Sequence, residues 1–152
     1  MKGKVAALVG AGVMALAAPV VMQFEGKSNE TYLDPVGVPT ICFGHTATAD
    51  PGDQFTDDQC EQLLDDDMRQ ALEGIASCVD RELDPNEWAA LVSWTFNVGT
   101  GNACGSTLVE LVNAGEAPAV WCRELPRWVY AGGERLTGLE RRRRAEMNLC
   151  LE

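Results

Sequence analysis

Twenty consecutive residues without a formal charge, Val5 to Phe24, constrain this chain more than any other feature. Coiled as a helix, a run of that length extends about 30 Å and matches the hydrocarbon thickness of a bilayer. It is rich in Ala and Gly and has only two leucines, Leu8 and Leu16, so its insertion into lipid is expected to be marginal. Pro19 is expected to kink it in its last third. Lys2 and Lys4 precede the run and favour an N-terminus that stays inside while the remainder is exported. Ala15-Leu16-Ala17 also fits a small-x-small cleavage site, so a cleaved signal peptide is the competing reading. The closeness of Glu25 behind the run favours an uncleaved segment.

The cysteines point to the same compartment. Cys42, Cys60, Cys78, Cys104, Cys122 and Cys150 include no Cys-x-x-Cys pair, which argues against a zinc site or a redox motif. Disulfides formed in an oxidising compartment are the better reading, with free core cysteines as the alternative. Six cysteines allow 15 connectivities. The sequence-local choice, Cys42–Cys60, Cys78–Cys104 and Cys122–Cys150, keeps each loop short and joins neighbouring elements. A net charge of −11 with no basic arm excludes nucleic acid as a partner. With 152 residues the chain is one domain by length, and residues 25–152 suffice for one core.

The chemistry-bearing stretch is EGKSNETYLDPVGVPTICFGHT, residues 25 to 46. Glu25 stands where the uncharged run ends. Asp34 is followed by Pro35-Val36-Gly37-Val38-Pro39 and then Thr40. Two prolines and a glycine in five residues predict a tight β-hairpin with Asp34 and Thr40 opposite each other at its mouth. A carboxylate beside a hydroxyl can hold a water, and a second carboxylate from a preceding helix can supply a proton. That is the minimal equipment for glycoside hydrolysis. By spacing alone these three residues are equally ordinary surface and turn positions.

Helical patterns fill the rest. Thr56 caps a helix whose stripe runs Cys60, Leu63, Leu64, Met68, Ala71, Leu72 and Ile75. Asp67 falls on that stripe and needs a partner; His45, the chain's one histidine, is the expected one. We read the His45–Asp67 pair as structural, because no nucleophile accompanies the histidine. Asp84-Pro85-Asn86-Glu87 opens a core helix with Trp88, Leu91, Val92, Thr95 and Phe96 inward and Gly99 as its stop. Shorter helices are expected from Ser106 or Thr107 to Gly115 and over residues 117–125. Thr137 to Glu140 reads as a second capping box opening a helix to about Leu151. Arg141 to Arg144 is the one basic cluster: a solvated face paired with Glu146, or a cleft wall from which at most two side chains reach inward to pair with Glu25 or with substrate carboxylates.

Several ordered motifs resemble the phage-type lysozymes. Glu25, eight residues, Asp34, five residues, Thr40 and then Gly44-His45-Thr46 matches their catalytic region. SWTFNVGTG at 93 to 101, STLVELVNAG at 106 to 115, PRWVYAGG at 126 to 133 and GLERRR at 138 to 143 extend the resemblance over nearly the whole chain. The N-terminal segment resembles that of the signal-anchor-release endolysins. The resemblance implies an α+β, mostly α fold with a small β-hairpin lobe and a helical lobe. It implies a signal-anchor segment, residues 1–24, ahead of a muramidase domain, residues 25–152.

The implied activity is hydrolysis of the β-1,4 bond between N-acetylmuramic acid and N-acetylglucosamine in peptidoglycan, for host lysis. Glu25 would protonate the leaving oxygen, and Asp34 with Thr40 would hold the attacking water. The water-holding pair favours a hydrolase over a lytic transglycosylase. No metal or organic cofactor is implied. The expected partners are peptidoglycan and, before release, the inner membrane. The expected species is a monomer, tethered on the periplasmic side and then freed into the periplasm.

Overall fold

The computed structural model describes residues 7–152, so the expectations placed on Lys2, Lys4 and Val5 lie outside the described residues. Helix α1, Ala7–Glu25, contains most of the uncharged run and continues through Pro19. Val13, Ala17 and Val21, spaced four apart on one face, are wholly buried, and Met14 lies beside them. Small residues along this helix allow close approach to helix α3, Pro85–Val98, against which it packs. Gly26, at a φ of 67°, ends α1 in the left-handed region that a side chain disfavours. Among the described residues no helix is long and apolar enough to cross a membrane.

After Gly26 the chain forms a hairpin, β1 (Ser28–Leu33) and β2 (Pro39–Cys42). The register pairs Tyr32 with Thr40 and Leu33 with Pro39. Asp34 therefore faces Val38 across the turn, and its amide donates to the Val38 carbonyl at 3.0 Å. The expectation that Asp34 lies opposite Thr40 is corrected by two residues: Thr40 faces Tyr32. Asp34 stands just past the last ladder pair, where its side chain folds over the turn to accept the Val36 and Val38 amides.

Helix α2, Asp57–Ala76, opens with the capping box of Thr56 and Gln59 and buries Cys60, Leu64, Met68, Ala71, Leu72 and Ile75. Gly74 lies where α2 meets Thr100 of the short helix α4, Thr100–Cys104, too close for a Cβ. Helix α3 starts at Pro85 behind the capping box of Asp84 and Glu87. The expectation of one buried face is corrected: every residue from Glu87 to Thr95 is buried, whereas Phe96 is only half-buried. The reason is position, since α1, α2 and the last helix surround α3. Trp88, Leu91, Val92 and Trp94 make it the hub of the core.

Helix α5, Thr107–Asn113, is capped by Ser106. The expected helix over 117–125 divides into α6, Pro118–Trp121, and a 3₁₀ turn, Cys122–Arg127, because Pro126 has no amide to continue an α-helical ladder. A second small hairpin, β3 (Tyr130–Ala131) and β4 (Glu134–Arg135), turns on Gly132-Gly133. Helix α7, Thr137–Cys150, is entered from Leu136 without a side-chain cap, so the expected box at Thr137 is absent. Glu140 pairs with Arg135 of the hairpin instead.

Three disulfides close the structure: Cys42–Cys60 joins β2 to α2, Cys78–Cys104 joins the end of α2 to α4, and Cys122–Cys150 joins the 3₁₀ turn to α7. Their sequence separations of 18, 26 and 28 correspond to roughly 3 kcal/mol each in the chain-entropy account.

Candidate active site

Glu25 is the last residue of α1, so the rigid helix delivers its carboxylate to the hairpin. Oε1 accepts a hydrogen bond from Arg142 Nη1 at 2.6 Å. Oε2 lies over Gly44, so near that a Cβ there would be 2.7 Å away. The glycine is thus required by space as well as by its φ of 75°. Gly44 is held by a tight turn in which Ile41 and His45 exchange two backbone hydrogen bonds of 2.9 Å. Cys42, in the same turn, has a φ of 60°, a conformation costly for any residue with a Cβ. Its bridge to Cys60 ties that strained residue to α2.

His45 fastens the turn from the other side. Its Nδ1 meets Asp67 Oδ2 at 2.7 Å and its Nε2 meets Thr48 Oγ1 at 2.7 Å. Both ring nitrogens are occupied and the ring is buried, which suits a clamp between hairpin and α2. Beyond it a pocket of about 270 Å³ includes Gly44, Gln70, Thr95, Phe96 and Thr100 in its lining. Thr95 Oγ1 is buried there without a hydrogen-bond partner.

Arg142 sits in a network of buried charge. Its Nη2 donates to the Ser93 carbonyl at 3.0 Å, and its Nε reaches Glu146 Oε2 at 3.4 Å. Glu146 is wholly buried, accepts from Ser93 Oγ at 2.5 Å and pairs with Arg143. Arg143 also donates to the Trp128 carbonyl at 2.9 Å and to Asn97. Burial lowers its guanidinium from the ordinary value, and Glu146 opposes that shift. Two arginines and two carboxylates, Glu25 and Glu146, thus share one interior cluster with backbone and side-chain hydrogen bonds filling the remaining valences, as buried charge requires.

Asp34 and Thr40 occupy the hairpin. Asp34 Oδ1 accepts the amides of Val36 and Val38, both at 2.9 Å, which leaves Oδ2 for another donor. Thr40 Oγ1, buried, donates to the Val38 carbonyl at 2.9 Å and keeps its lone pairs. Among the described residues no group of three or more His, Cys, Asp or Glu could hold a metal ion.

Of the basic cluster, Arg142 and Arg143 point inward and Arg141 and Arg144 outward. Sequence reasoning paired the cluster with Glu146 and allowed an arginine on Glu25, but placed the Glu146 pairing on a solvated face. Ser93, Asn97 and the contact with Gly44 were not foreseen; no local pattern marks them, since their partners lie far along the chain.

A family model for phage lysozyme matches residues 22–146. The chain belongs to the phage lysozyme family. Members of the family similar to it include a SAR-endolysin of Bacteriophage PS119, 34% identical over 158 residues, with 99% of this chain and 94% of that protein covered. A SAR-endolysin of Enterobacteria phage P21 is 35% identical over 158 residues and covers 99% and 95%. Among solved structures, the muramidase domain of SpmX from Asticaccaulis excentricus superposes with a TM-score of 0.82 at 29% identity, covering 98% of each chain.

Proposed function

We propose that the protein is an endolysin that hydrolyses the β-1,4 bond between N-acetylmuramic acid and N-acetylglucosamine, with Glu25 as general acid and Asp34 with Thr40 as the water-holding pair. The observation that carries this is the division of labour at Glu25. Arg142 engages Oε1 alone, and Oε2 is left to carry the proton beside the hairpin. Asp34 is prepared the same way, one oxygen fixed by two amides and the other available. Water held between Asp34 Oδ2 and the Thr40 oxygen attacks the anomeric carbon and gives its proton to Asp34. Glu25 Oε2 protonates the departing glycosidic oxygen as its bond breaks. Direct attack by that water, on the face of the sugar opposite the leaving oxygen, gives the inversion that the family resemblance implies.

The same reading extends to export. Residues 1–24 serve as the anchor and residues 25–152 as the muramidase, tethered in the inner membrane and then released to the periplasm. Support comes from relatives named SAR-endolysin and from the weak hydrophobicity of the uncharged run. Product analysis of digested sacculi tests the chemistry. Muropeptides with free reducing ends are expected from the parent and none from Glu25→Gln with an unchanged melting curve. Near-normal activity of purified Glu25→Gln removes the acid assignment, and 1,6-anhydro products assign a lytic transglycosylase instead.

A further inference from the structure

The outer face of α7 and the end of α1 form a second groove, of about 450 Å³, lined by Gln23, Phe24, Arg141, Arg144, Ala145 and Asn148. We propose that this groove binds the free carboxylates of the peptide stems on the peptidoglycan substrate, through Arg141 and Arg144. The inference rests on the muramidase reading and adds a specificity site to it.

The first support is charge. The chain carries 23 acids against 12 lysines and arginines, so partners for a cation are abundant. Lys27, Arg69, Arg127, Arg135, Arg142 and Arg143 all have carboxylate partners. Arg81 donates to the Val112 and Glu116 carbonyls. Among the lysines and arginines of the described residues, only the side chains of Arg123, Arg141 and Arg144 are without a hydrogen bond or ion pair. Two of those three line one groove. They are three apart on α7, neighbours on the helix surface, where like charges repel. An anion between them relieves that repulsion.

The second support is the kind of anion that fits. Guanidinium groups take carboxylates in a two-pronged geometry. The amides of Gln23 and Asn148 can pair with peptide groups, and Phe24 gives an apolar wall. A stem peptide offers these together: free carboxylates, a backbone and short aliphatic side chains. The third support is location. Phe24 directly precedes Glu25, and Arg142, which holds Glu25, lies between the two groove arginines in sequence. The groove thus opens on the outer side of the two helices, α1 and α7, whose inner sides carry Glu25 and Arg142, so a stem seated here would extend from a glycan strand held at the acid. Such a site also gives a strongly acidic protein a local attraction to an anionic polymer.

The test compares two substrates: intact sacculi, and glycan strands freed of peptide by an amidase. Arg141 and Arg144 are exposed, so the Arg141→Gln/Arg144→Gln double variant is expected to fold and melt as the parent does. It should lose about tenfold in kcat/KM on sacculi, mainly through KM, and stay within about twofold of the parent on bare glycan. The loss should shrink as salt is raised. A parent that cleaves both substrates while the variant is unimpaired on sacculi, or equally impaired on both, overturns the groove alone. A parent that cleaves neither overturns the muramidase reading and the groove with it. Loss of binding to phosphatidylglycerol vesicles with activity on sacculi unchanged reassigns the arginines to the membrane and overturns the proposal.

Discussion

Gly44 carries two constraints that no other residue type meets. Its backbone is left-handed, and Glu25 Oε2 occupies the space a Cβ would need. A methyl group there displaces the carboxylate or opens the Ile41–His45 turn. The displaced oxygen is the one proposed to carry the proton, and small misplacements of a reacting group cost orders of magnitude in rate. Gly44→Ala is therefore expected to lower kcat about a hundredfold or more. Its stability cost should be only about 1–2 kcal/mol, the ordinary penalty for a side chain in this backbone region. Parallel sacculus hydrolysis and thermal melts check the split. A loss of rate no larger than the loss of folded protein would detach Gly44 from the chemistry. Arg142 differs, because it holds Glu25, Glu146 and Ser93 together, and removing it would strand buried groups as well as free the acid.

At the scale of elements, what could be read ahead of the structure was what local chemistry decides. Thr56 with Gln59, Pro85 behind Asp84, and Gly99 each set a helix boundary within a few residues of chain. The Gly132-Gly133 hairpin was not legible because its strands are two residues each, too short for a period. The 3₁₀ turn was legible only in part, as the helix stop at Pro126, and the all-round burial of α3 depends on three neighbours that sequence does not place. The cap of α3 also carries a testable charge. Glu87 is buried, and burial together with the nearby Asp84 carboxylate raises its pKa above the ordinary value, against the hydrogen bond from the Asp84 amide. Between the ordinary and the raised value the folded chain holds a proton that the unfolded chain has lost. This contribution is fully present below the ordinary value and is lost as pH rises through the raised one. Glu87→Gln keeps an acceptor for the Asp84 amide, which now reaches Glu87 Oε1 at 3.2 Å. It is expected to raise the Tm at neutral pH and to flatten the decline from acid to neutral pH. Melts across that range decide it: a variant with the parent's slope and Tm shows that Glu87 folds without charge strain.

For the whole molecule, the decisive fact is that one segment cannot serve two environments at once. Val13, Ala17 and Val21 are wholly buried in the folded protein, and α1 ends on Glu25. While α1 lies in a bilayer, as proposed for the tethered form, the core lacks a helix and the acid lacks its seat beside Arg142 and Gly44. Release and assembly of the site are then a single event, governed by how weakly the segment inserts. The folded structure separates residues that matter for packing from those free to change. Ala17 is buried, so a larger side chain there would overpack the core. Gly12 and Ala15 are exposed, and a Cβ at Gly12 meets nothing within 4 Å. Leucines at these two positions leave the folded core intact, yet each adds roughly 2 kcal/mol of apolar burial in lipid. The Gly12→Leu/Ala15→Leu variant is expected to stay in the membrane fraction, full-length and inactive, after the membrane potential is collapsed with an uncoupler. Extracted and refolded without lipid, it should hydrolyse sacculi within about twofold of the parent. Release as ready as the parent's would remove weak hydrophobicity as the switch. Inactivity after extraction would place the damage in the fold rather than in the anchor, and a mature N-terminus near Ala18 would make the segment a cleaved signal.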